Sequence, residues 1–258
     1  MHRLDQLFAS KKNGVLSVYF TAGFPQLNDS VRIMQALQEA GVDIIEVGIP
    51  FSDPVADGQT IQESNQTALN NGMTLKELFR QLTNIRQKVQ IPVLFMGYIN
   101  PILQFGIEKF CQECERIGVD GLILPDLPMQ EYLDEYKNTF ERYGLRNIFL
   151  ITPQTSENRI RMIDNHTKGF IYMVSSASTT GAKQEISQKQ LDYFTRVKKM
   201  NLKNPTLIGF GISNKETFDG ACHYANGAII GSAFIKVLAG SKNLEEDIKN
   251  FVKAVKGS

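Results

Sequence analysis

Short apolar runs alternate along the chain with segments of helical periodicity. Most runs, such as Val93-Leu94-Phe95-Met96, contain no polar alternation. Continuous apolar runs of this length are typical of parallel strands that are covered on both faces. The pattern predicts eight strands, at residues 16–21, 43–48, 92–96, 121–124, 147–152, 170–174, 206–209 and 228–231.

The segments between these runs carry apolar residues at helical spacing. Leu75, Leu78, Phe79 and Leu82 follow one another at intervals that place them on one stripe of a helix. Glycines at the ends of several such segments are typical of left-handed C-caps. The predicted helices cover residues 27–40, 75–89, 107–117, 129–143, 157–165, 188–200, 215–225 and 244–255.

Eight strand–helix units in one uninterrupted chain predict a closed barrel. No Ser/Pro-rich linker divides the sequence, and Ala40-Gly41-Val42-Asp43 is echoed by Ile117-Gly118-Val119-Asp120. We therefore expect one α/β domain over residues 1–258, a (β/α)8 TIM barrel with an extra N-terminal helix and a short helix after strand eight. A doubly wound open sheet is the rival, but the first turn has no GxGxxG motif.

Composition narrows the function classes. Lys and Arg number 28 against 27 Asp and Glu, so there is no basic field for nucleic acid. Mean hydropathy is −0.19, and the sequence has no apolar run long enough to predict a membrane span. Three cysteines and the absence of an apolar N-terminal region predict a reducing, cytoplasmic location.

Acidic residues near the end of the second predicted strand are the main candidates for chemistry. In barrels of this kind, function lies at the C-terminal ends of the strands. Glu46 interrupts an apolar strand there, and burial should raise its pKa and suit it to acid–base work, unless it is a structural Glu with a fixed partner. Asp53 and Asp57 follow in the next loop, where turn formation or a helix start would also explain them.

Glycine-rich loops after the last three predicted strands point to a phosphate. Backbone N–H groups approach an anion closely at glycine, and a helix N-terminus adds partial positive charge. The aromatic residues at strand ends, Phe20, Tyr98 and Tyr172, are either walls of an apolar pocket or ordinary core. The loop residues are Thr180 and Gly181, then Gly209 and Gly211, then Gly231 and Ser232, the last of which opens the predicted short helix.

Metal chemistry has little support in the sequence. Cys111 and Cys114 form a CxxC pair, but the pair lies within a predicted amphipathic helix, and the sequence has no second pair. None of the three histidines lies at the end of a predicted strand. The residues alone therefore indicate a lyase or isomerase that acts on a small phosphorylated substrate with an apolar part.

The longest motif resembles a known family. Residues 46–58, Glu-Val-Gly-Ile-Pro-Phe-Ser-Asp-Pro-Val-Ala-Asp-Gly, are similar to the signature of the tryptophan synthase α subunit. Further motifs follow in the expected order over essentially the whole chain, at residues 20–25, 96–101, 124–128, 209–213 and 231–233. The resemblance implies retro-aldol cleavage of indole-3-glycerol phosphate to indole and glyceraldehyde 3-phosphate.

The resemblance also implies a role for each site residue. Glu46 would protonate indole C3 and take the proton of the glycerol hydroxyl, and Asp57 would accept a hydrogen bond from the indole N–H. Phe20, Met96, Ile151 and Tyr172 would wall the indole, with Tyr98 beside them. Backbone groups of Gly181, Gly211 and Gly231 would hold the phosphate with Ser232, supported by Thr180 and Gly209.

By the same resemblance, the chain would have a partner. Family members pair with a pyridoxal-phosphate β subunit in an α2β2 assembly, so this chain would carry no cofactor itself. Pro50, Asp53, Asn100 and Asp126 would lie toward that subunit, and loops 51–58 and 175–183 would close over the substrate. Ser178 and Thr179 stand where many relatives have Gly and Val, a polar departure within the second of these loops.

Two other functions are alternatives to indole-3-glycerol phosphate cleavage. Indole-3-glycerol phosphate synthase and phosphoribosyl isomerases are also phosphate-binding barrels, but they need a Lys-rich site or paired Asp residues at strand ends, and no predicted strand here contains Lys. A silent α-like subunit that only regulates a β partner is the other rival. The presence of both Glu46 and Asp57 argues against it.

Overall fold

A single sheet of nine parallel strands forms the centre of the molecule. The computed structural model describes residues 1–175, 187–209 and 211–257. Hydrogen bonding orders the strands β5-β4-β3-β2-β1-β9-β8-β7-β6. Their bounds are β1 Val15–Thr21, β2 Ile44–Gly48, β3 Val93–Met96, β4 Gly121–Ile123, β5 Arg146–Ile148, β6 Leu150–Ile151, β7 Ile171–Val174, β8 Thr206–Gly209 and β9 Gly227–Ile230.

The two end strands of this order are halves of one barrel strand. β5 pairs with β4 and β6 pairs with β7, and only Phe149 separates them. Phe149 keeps the ladder going, since its carbonyl accepts a hydrogen bond of 2.9 Å from the backbone N–H of Tyr172. The sheet therefore closes on itself, which confirms the predicted (β/α)8 barrel. The predicted fifth strand, 147–152, is interrupted rather than continuous.

Helices surround the sheet. Their bounds are α1 Arg3–Ser10, α2 Ser30–Glu39, α3 Gln59–Asn70, α4 Leu75–Gln81, α5 Ile99–Phe105, α6 Ile107–Ile117, α7 Met129–Glu131, α8 Lys137–Arg142, α9 Glu157–His166, α10 Gln188–Lys199, α11 Lys215–Tyr224, α12 Ser232–Gly240 and α13 Leu244–Lys256. A 3₁₀ turn at Ile85–Gln87 ends what was predicted as one helix over 75–89, and a π-helical turn at Tyr132–Tyr136 joins α7 to α8. Helix α12 confirms the predicted short helix after the last strand.

The predicted extra N-terminal helix, α1, closes the bottom of the barrel. Leu4 and Phe8 are buried with interior strand residues such as Val15 and Ile44. The ring of Phe8 lies 6.1 Å from that of Phe170. Because α1 fills the N-terminal end, only the C-terminal ends of the strands remain for a substrate.

Alternation along each strand separates interior residues from those under the helices. In β1, Leu16, Val18 and Phe20 belong to the apolar layer between sheet and helices. Val15 lies in the barrel interior, and Ser17 and Tyr19 share its side of the pleat. Among the described residues, no helix has both the length and the apolar character needed to span a bilayer.

Candidate active site

Glu46 is a buried acid on the interior face of β2. Its side chain is 0% exposed, and it pairs with Tyr19 of β1 and Leu94 of β3 across the sheet. The Ser17 hydroxyl donates a 2.7 Å hydrogen bond to Oε1, whereas Oε2 has no hydrogen-bond partner in the described part of the chain. Burial raises the pKa of Glu46 to about 7, and the Ser17 bond opposes that rise. Glu46 can therefore carry a proton at neutral pH.

Asp57 lies in the loop that joins β2 to α3. Burial raises its pKa to about 6, and a hydrogen bond from Tyr98 opposes the rise. The Tyr98 hydroxyl donates to Oδ2 over 3.3 Å and accepts the backbone N–H of Ala56 at 3.0 Å. The Tyr98 ring also lies 5.1 Å from the ring of Phe51. Tyr98 thus holds both ends of the 51–57 segment, and Asp57 remains mostly charged at pH 7.

Two tyrosines share the interior with Glu46, and each fills the space left by a glycine. A Cβ atom at Gly48 would lie 2.2 Å from the Tyr19 hydroxyl, and one at Gly209 would lie 2.4 Å from the Tyr172 hydroxyl. Burial raises the pKa of both tyrosines, and the nearby Glu46 adds to the rise. Both rings therefore stay neutral and supply an aromatic surface beside the acid.

Two of the predicted wall residues face the wrong way. Phe20 and Ile151 are fully buried, but both belong to the layer between the sheet and the helices. Their neighbours on the opposite face point into the barrel. Tyr19 pairs with Glu46, lies against Gly48 and interacts electrostatically with Glu46. Leu150 pairs with Tyr172 and packs against the interior cluster. Sequence reasoning missed Tyr19 because β1 is buried on both faces. Met96 is half-buried and packs against both the interior cluster and the layer under the helices, and its role as a wall stays a prediction.

Two of the three predicted phosphate loops follow neighbouring strands, β8 and β9. Gly209 ends β8 and pairs with Ile229 of β9, and Gly211 has the positive φ of +79° that favours glycine. Gly231 is the N-cap of α12, and Ser232 is its first residue. The backbone N–H groups at the start of this helix are therefore close to the glycine loop after β8. Thr180 and Gly181 lie outside the described residues.

The residues predicted to meet a partner divide into two groups. Asp53, Asn100 and Asp126 are exposed. Asp126 accepts the backbone N–H of Ile99 at 3.0 Å and so caps the start of α5. Pro50 is buried instead, because it directly continues β2 under the loop. The role of Pro50 at a partner surface stays a prediction.

Metal ligation finds no support among the described residues. They contain no group of three or more His, Cys, Asp or Glu side chains arranged to hold an ion. Cys111 and Cys114 are buried on α6, where burial raises the pKa of both thiols. Such thiols are inert structural residues.

A closed barrel with a protonatable acid, an aromatic wall and glycine loops at its C-terminal end defines the class of (β/α)8 acid–base enzymes. The family model described as tryptophan synthase alpha chain matches residues 5–257. The chain belongs to this family, whose reaction is the cleavage of indole-3-glycerol phosphate in tryptophan biosynthesis, a lyase reaction.

Individual relatives agree with the family match. The chain is 58% identical to the tryptophan synthase alpha chain of Flavobacterium psychrophilum over 255 residues, covering 99% of this chain and 100% of the relative. Identity to that of Parabacteroides distasonis is 55%, covering 99% and 100%.

Solved structures show the same architecture. A mutant tryptophan synthase alpha-subunit from Pyrococcus furiosus superposes with a TM-score of 0.87 at 36% identity, covering 96% of this chain and 100% of that one. A Mycobacterium tuberculosis tryptophan synthase structure gives 0.89 at 30% identity, covering 99% and 97%.

Proposed function

We propose that Glu46 is the acid that cleaves indole-3-glycerol phosphate in this chain. The observation that carries the proposal is the free Oε2 of a fully buried carboxyl group whose pKa is about 7. Such a group keeps a proton at working pH and can deliver it to a weakly basic carbon. Asp57 is less suited to this step because its lower pKa leaves it mostly charged.

The proposed cleavage needs one group that donates and takes back a proton, Glu46, and one that stabilises charge, Asp57. Glu46 gives its proton to indole C3, and the ring becomes an indolenine with positive charge at N1. The C3–C bond to the glycerol chain breaks as the adjacent hydroxyl loses its proton, and the bonding electrons return to the ring. Glu46, now a carboxylate, takes up the hydroxyl proton. Indole and an aldehyde leave with no change in oxidation state.

Asp57 stabilises the charge that develops in this step. Its carboxylate would accept a hydrogen bond from the indole N–H, where positive charge is greatest in the protonated ring. The Tyr98 bond supports this role because it fixes the orientation of the carboxylate. The indole would lie among Tyr19, Met96, Leu150 and Tyr172, whereas Phe20 and Ile151 only support the strands from behind.

The phosphate would bind at the start of α12. Gly211, Gly231 and Ser232 offer backbone N–H groups there, next to Gly209. Thr180 and Gly181 stay candidates for the same site. In this proposal the anion would lie at the glycine loops, on a different part of the barrel end from the loop of Asp57.

The partner is a second part of the proposal. We infer that the chain pairs with a tryptophan synthase β subunit, carrying pyridoxal phosphate, in an α2β2 assembly. The exposed Asp53, Asn100 and Asp126 support this, as does Val55, which is 87% exposed at the top of the barrel. A tryptophan synthase complex from Pyrococcus furiosus is among the similar structures. A cytoplasmic location likewise remains proposed, in keeping with three unpaired cysteines.

Replacement of the acid tests the proposal. Glu46→Gln keeps the shape and the Ser17 acceptor but removes the proton, so we expect cleavage to fall by about 10²–10⁴-fold with the fold intact. Release of indole from indole-3-glycerol phosphate, with and without a β subunit, is the measurement. Glu216→Gln, an exposed position on α11, is the matched control. Activity of Glu46→Gln within a few-fold of wild type would remove Glu46 from the mechanism, and a wild-type chain that releases no indole would favour the silent subunit.

A further inference from the structure

Ser17 is an unusual residue for its position in the barrel. It is 0% exposed on the interior face of β1, and its pairing partners are the apolar Ile44 of β2 and Ile229 of β9. Burying a hydroxyl among apolar side chains costs free energy unless it makes a hydrogen bond. The bond described for this hydroxyl goes to Glu46 Oε1 at 2.7 Å. The polar side chain is therefore explained by Glu46 and not by the packing of the strand.

We propose that Ser17 is the positioning residue of the acid, holding the Glu46 carboxyl group so that its proton resides on Oε2. This inference rests on the proposed function, in which Glu46 is the acid. An oxygen that accepts a hydrogen bond has carbonyl character in the neutral acid, so the proton belongs on the other oxygen. Oε2 is the one without a partner in the described part of the chain, and it is therefore available to substrate.

The rigidity of β1 makes this control effective. β1 lies between the parallel strands β2 and β9, and its pairing with both fixes the position of Ser17 along the sheet. A short side chain on a paired strand has few alternative positions, so it can hold the longer Glu46 side chain in one orientation. The same bond favours the charged form of Glu46, so it also limits how far burial raises the pKa.

The other titratable groups around Glu46 do not replace this effect. Tyr19 of β1 and Tyr172 of β7 interact electrostatically with Glu46, and burial keeps both neutral. Asp57, in the loop after β2, acts on the same two tyrosines. All of these groups remain in a Ser17 variant, so a change in the pKa of Glu46 reports on the lost hydroxyl.

The test removes the hydroxyl and follows both the proton and the reaction. In Ser17→Ala we expect the pKa of Glu46 to rise by about one unit, measured by NMR titration of the ¹³C-labelled carboxyl group and assigned with Glu46→Gln. The alkaline limb of the kcat/KM profile should shift to higher pH by the same amount. At a pH where Glu46 is protonated in both proteins, kcat should fall about tenfold while KM for indole-3-glycerol phosphate changes little.

Two variants separate positioning from packing. Ser17→Thr retains the hydroxyl and should restore the wild-type pKa and kcat, and Ser17→Gly should repeat the alanine result. Ser30→Ala removes another buried hydroxyl, one that accepts the N–H of Gly23, and should leave the alkaline limb in place.

An unchanged pKa and alkaline limb in both Ser17→Ala and Ser17→Gly would overturn the inference. This outcome differs from failure of the proposed function. In that case Glu46→Gln would remain active or the wild-type chain would not cleave, whereas the NMR titration would still measure the effect of Ser17 on the acid.

Discussion

Glu46 and Asp57 are carboxyl groups of one barrel end, but their surroundings give them different proton affinities. Glu46 is fully buried and accepts one hydrogen bond, from the Ser17 hydroxyl, and its pKa is about 7. Asp57 is only partly buried, and its pKa is about 6. The hydroxyls of Ser17 and Tyr98 oppose the rise in pKa that burial causes, because their hydrogen bonds stabilise the charged carboxylates. A pair of acids with separated pKa values is the arrangement needed for one proton donor and one fixed charge.

This difference predicts the pH dependence of the reaction. Glu46 must be protonated and Asp57 charged, so activity should fall below about pH 6 and above about pH 7. The profile of kcat/KM for indole-3-glycerol phosphate, which reports the free enzyme, should therefore be a narrow bell. In Asp57→Asn the remaining activity should lack the acidic limb, because the amide at position 57 does not titrate at low pH. An acidic limb that persists unchanged in this variant would show that another group causes it.

The loop after β2 is the element that brings the second carboxylate to the site. Tyr98 stands at the N-cap of α5, on the neighbouring strand–helix connection, and bonds both Ala56 and Asp57. Asp126 in turn caps α5 from the connection after β4. The position of Asp57 thus depends on three successive loops, none of which touches the acid Glu46 directly in the described contacts.

Removal of one hydroxyl should loosen this loop. Tyr98→Phe keeps the ring contact with Phe51 but loses both hydrogen bonds, so the pKa of Asp57 should rise and the acidic limb should move upward. Turnover should drop by about tenfold, and amide hydrogen exchange should quicken in residues 51–58. Tyr143→Phe is the control, because this half-buried tyrosine at the end of α8 also loses two side-chain hydrogen bonds, those to Glu108 and Gln112 of α6. Unchanged exchange in the loop would mean that Tyr98 does not hold it.

Sequence patterns located the strands well but not the direction of their side chains. Apart from the fifth, each predicted strand overlaps an observed one, and no end differs by more than one residue. In β1, Ser17, Tyr19 and Thr21 alternate with Leu16, Val18 and Phe20, but both sets are buried, so exposure does not reveal which side faces the barrel interior. That is why Phe20 was predicted as a wall in place of Tyr19, and Ile151 in place of Leu150. The register between strands decides the question, and the sequence does not contain it in readable form.

Other differences arise from tertiary contacts. The sequence does not predict helix α5. The helix is only seven residues long, contains Pro101 and ends at Gly106, and its cap comes from Asp126 in another loop. The pairing of Ser17 with Glu46 joins residues 29 positions apart, so no local motif marks it. By contrast, Glu46 and the glycine loops are candidates from strand ends and residue chemistry alone, whereas the role of Asp57 follows from the family resemblance. Their functional roles stay predictions, as does the single-domain boundary of 1–258.

The whole molecule separates stability from chemistry along the barrel axis. The N-terminal end is filled by Leu4 and Phe8 of α1. It is further tied by Asp120, which forms ion pairs with Arg3 and Arg86. The C-terminal end holds Glu46, the tyrosines and the glycine loops. In barrels of this kind the bottom face contributes stability and the top face contributes function.

A cavity at the bottom should therefore weaken the fold without changing the reaction. Leu4 is 0% exposed inside the barrel, so Leu4→Ala should lower the free energy of unfolding by about 2–5 kcal/mol. Urea denaturation would measure the loss, and kcat for indole release, under conditions where the variant stays folded, should remain within about twofold of wild type. Gln6→Ala, on the exposed side of the same helix, should leave both nearly unchanged. If kcat falls in Leu4→Ala as far as it does in Ser17→Ala, the two ends are coupled, because α1 would then set the position of the strands that carry the acid.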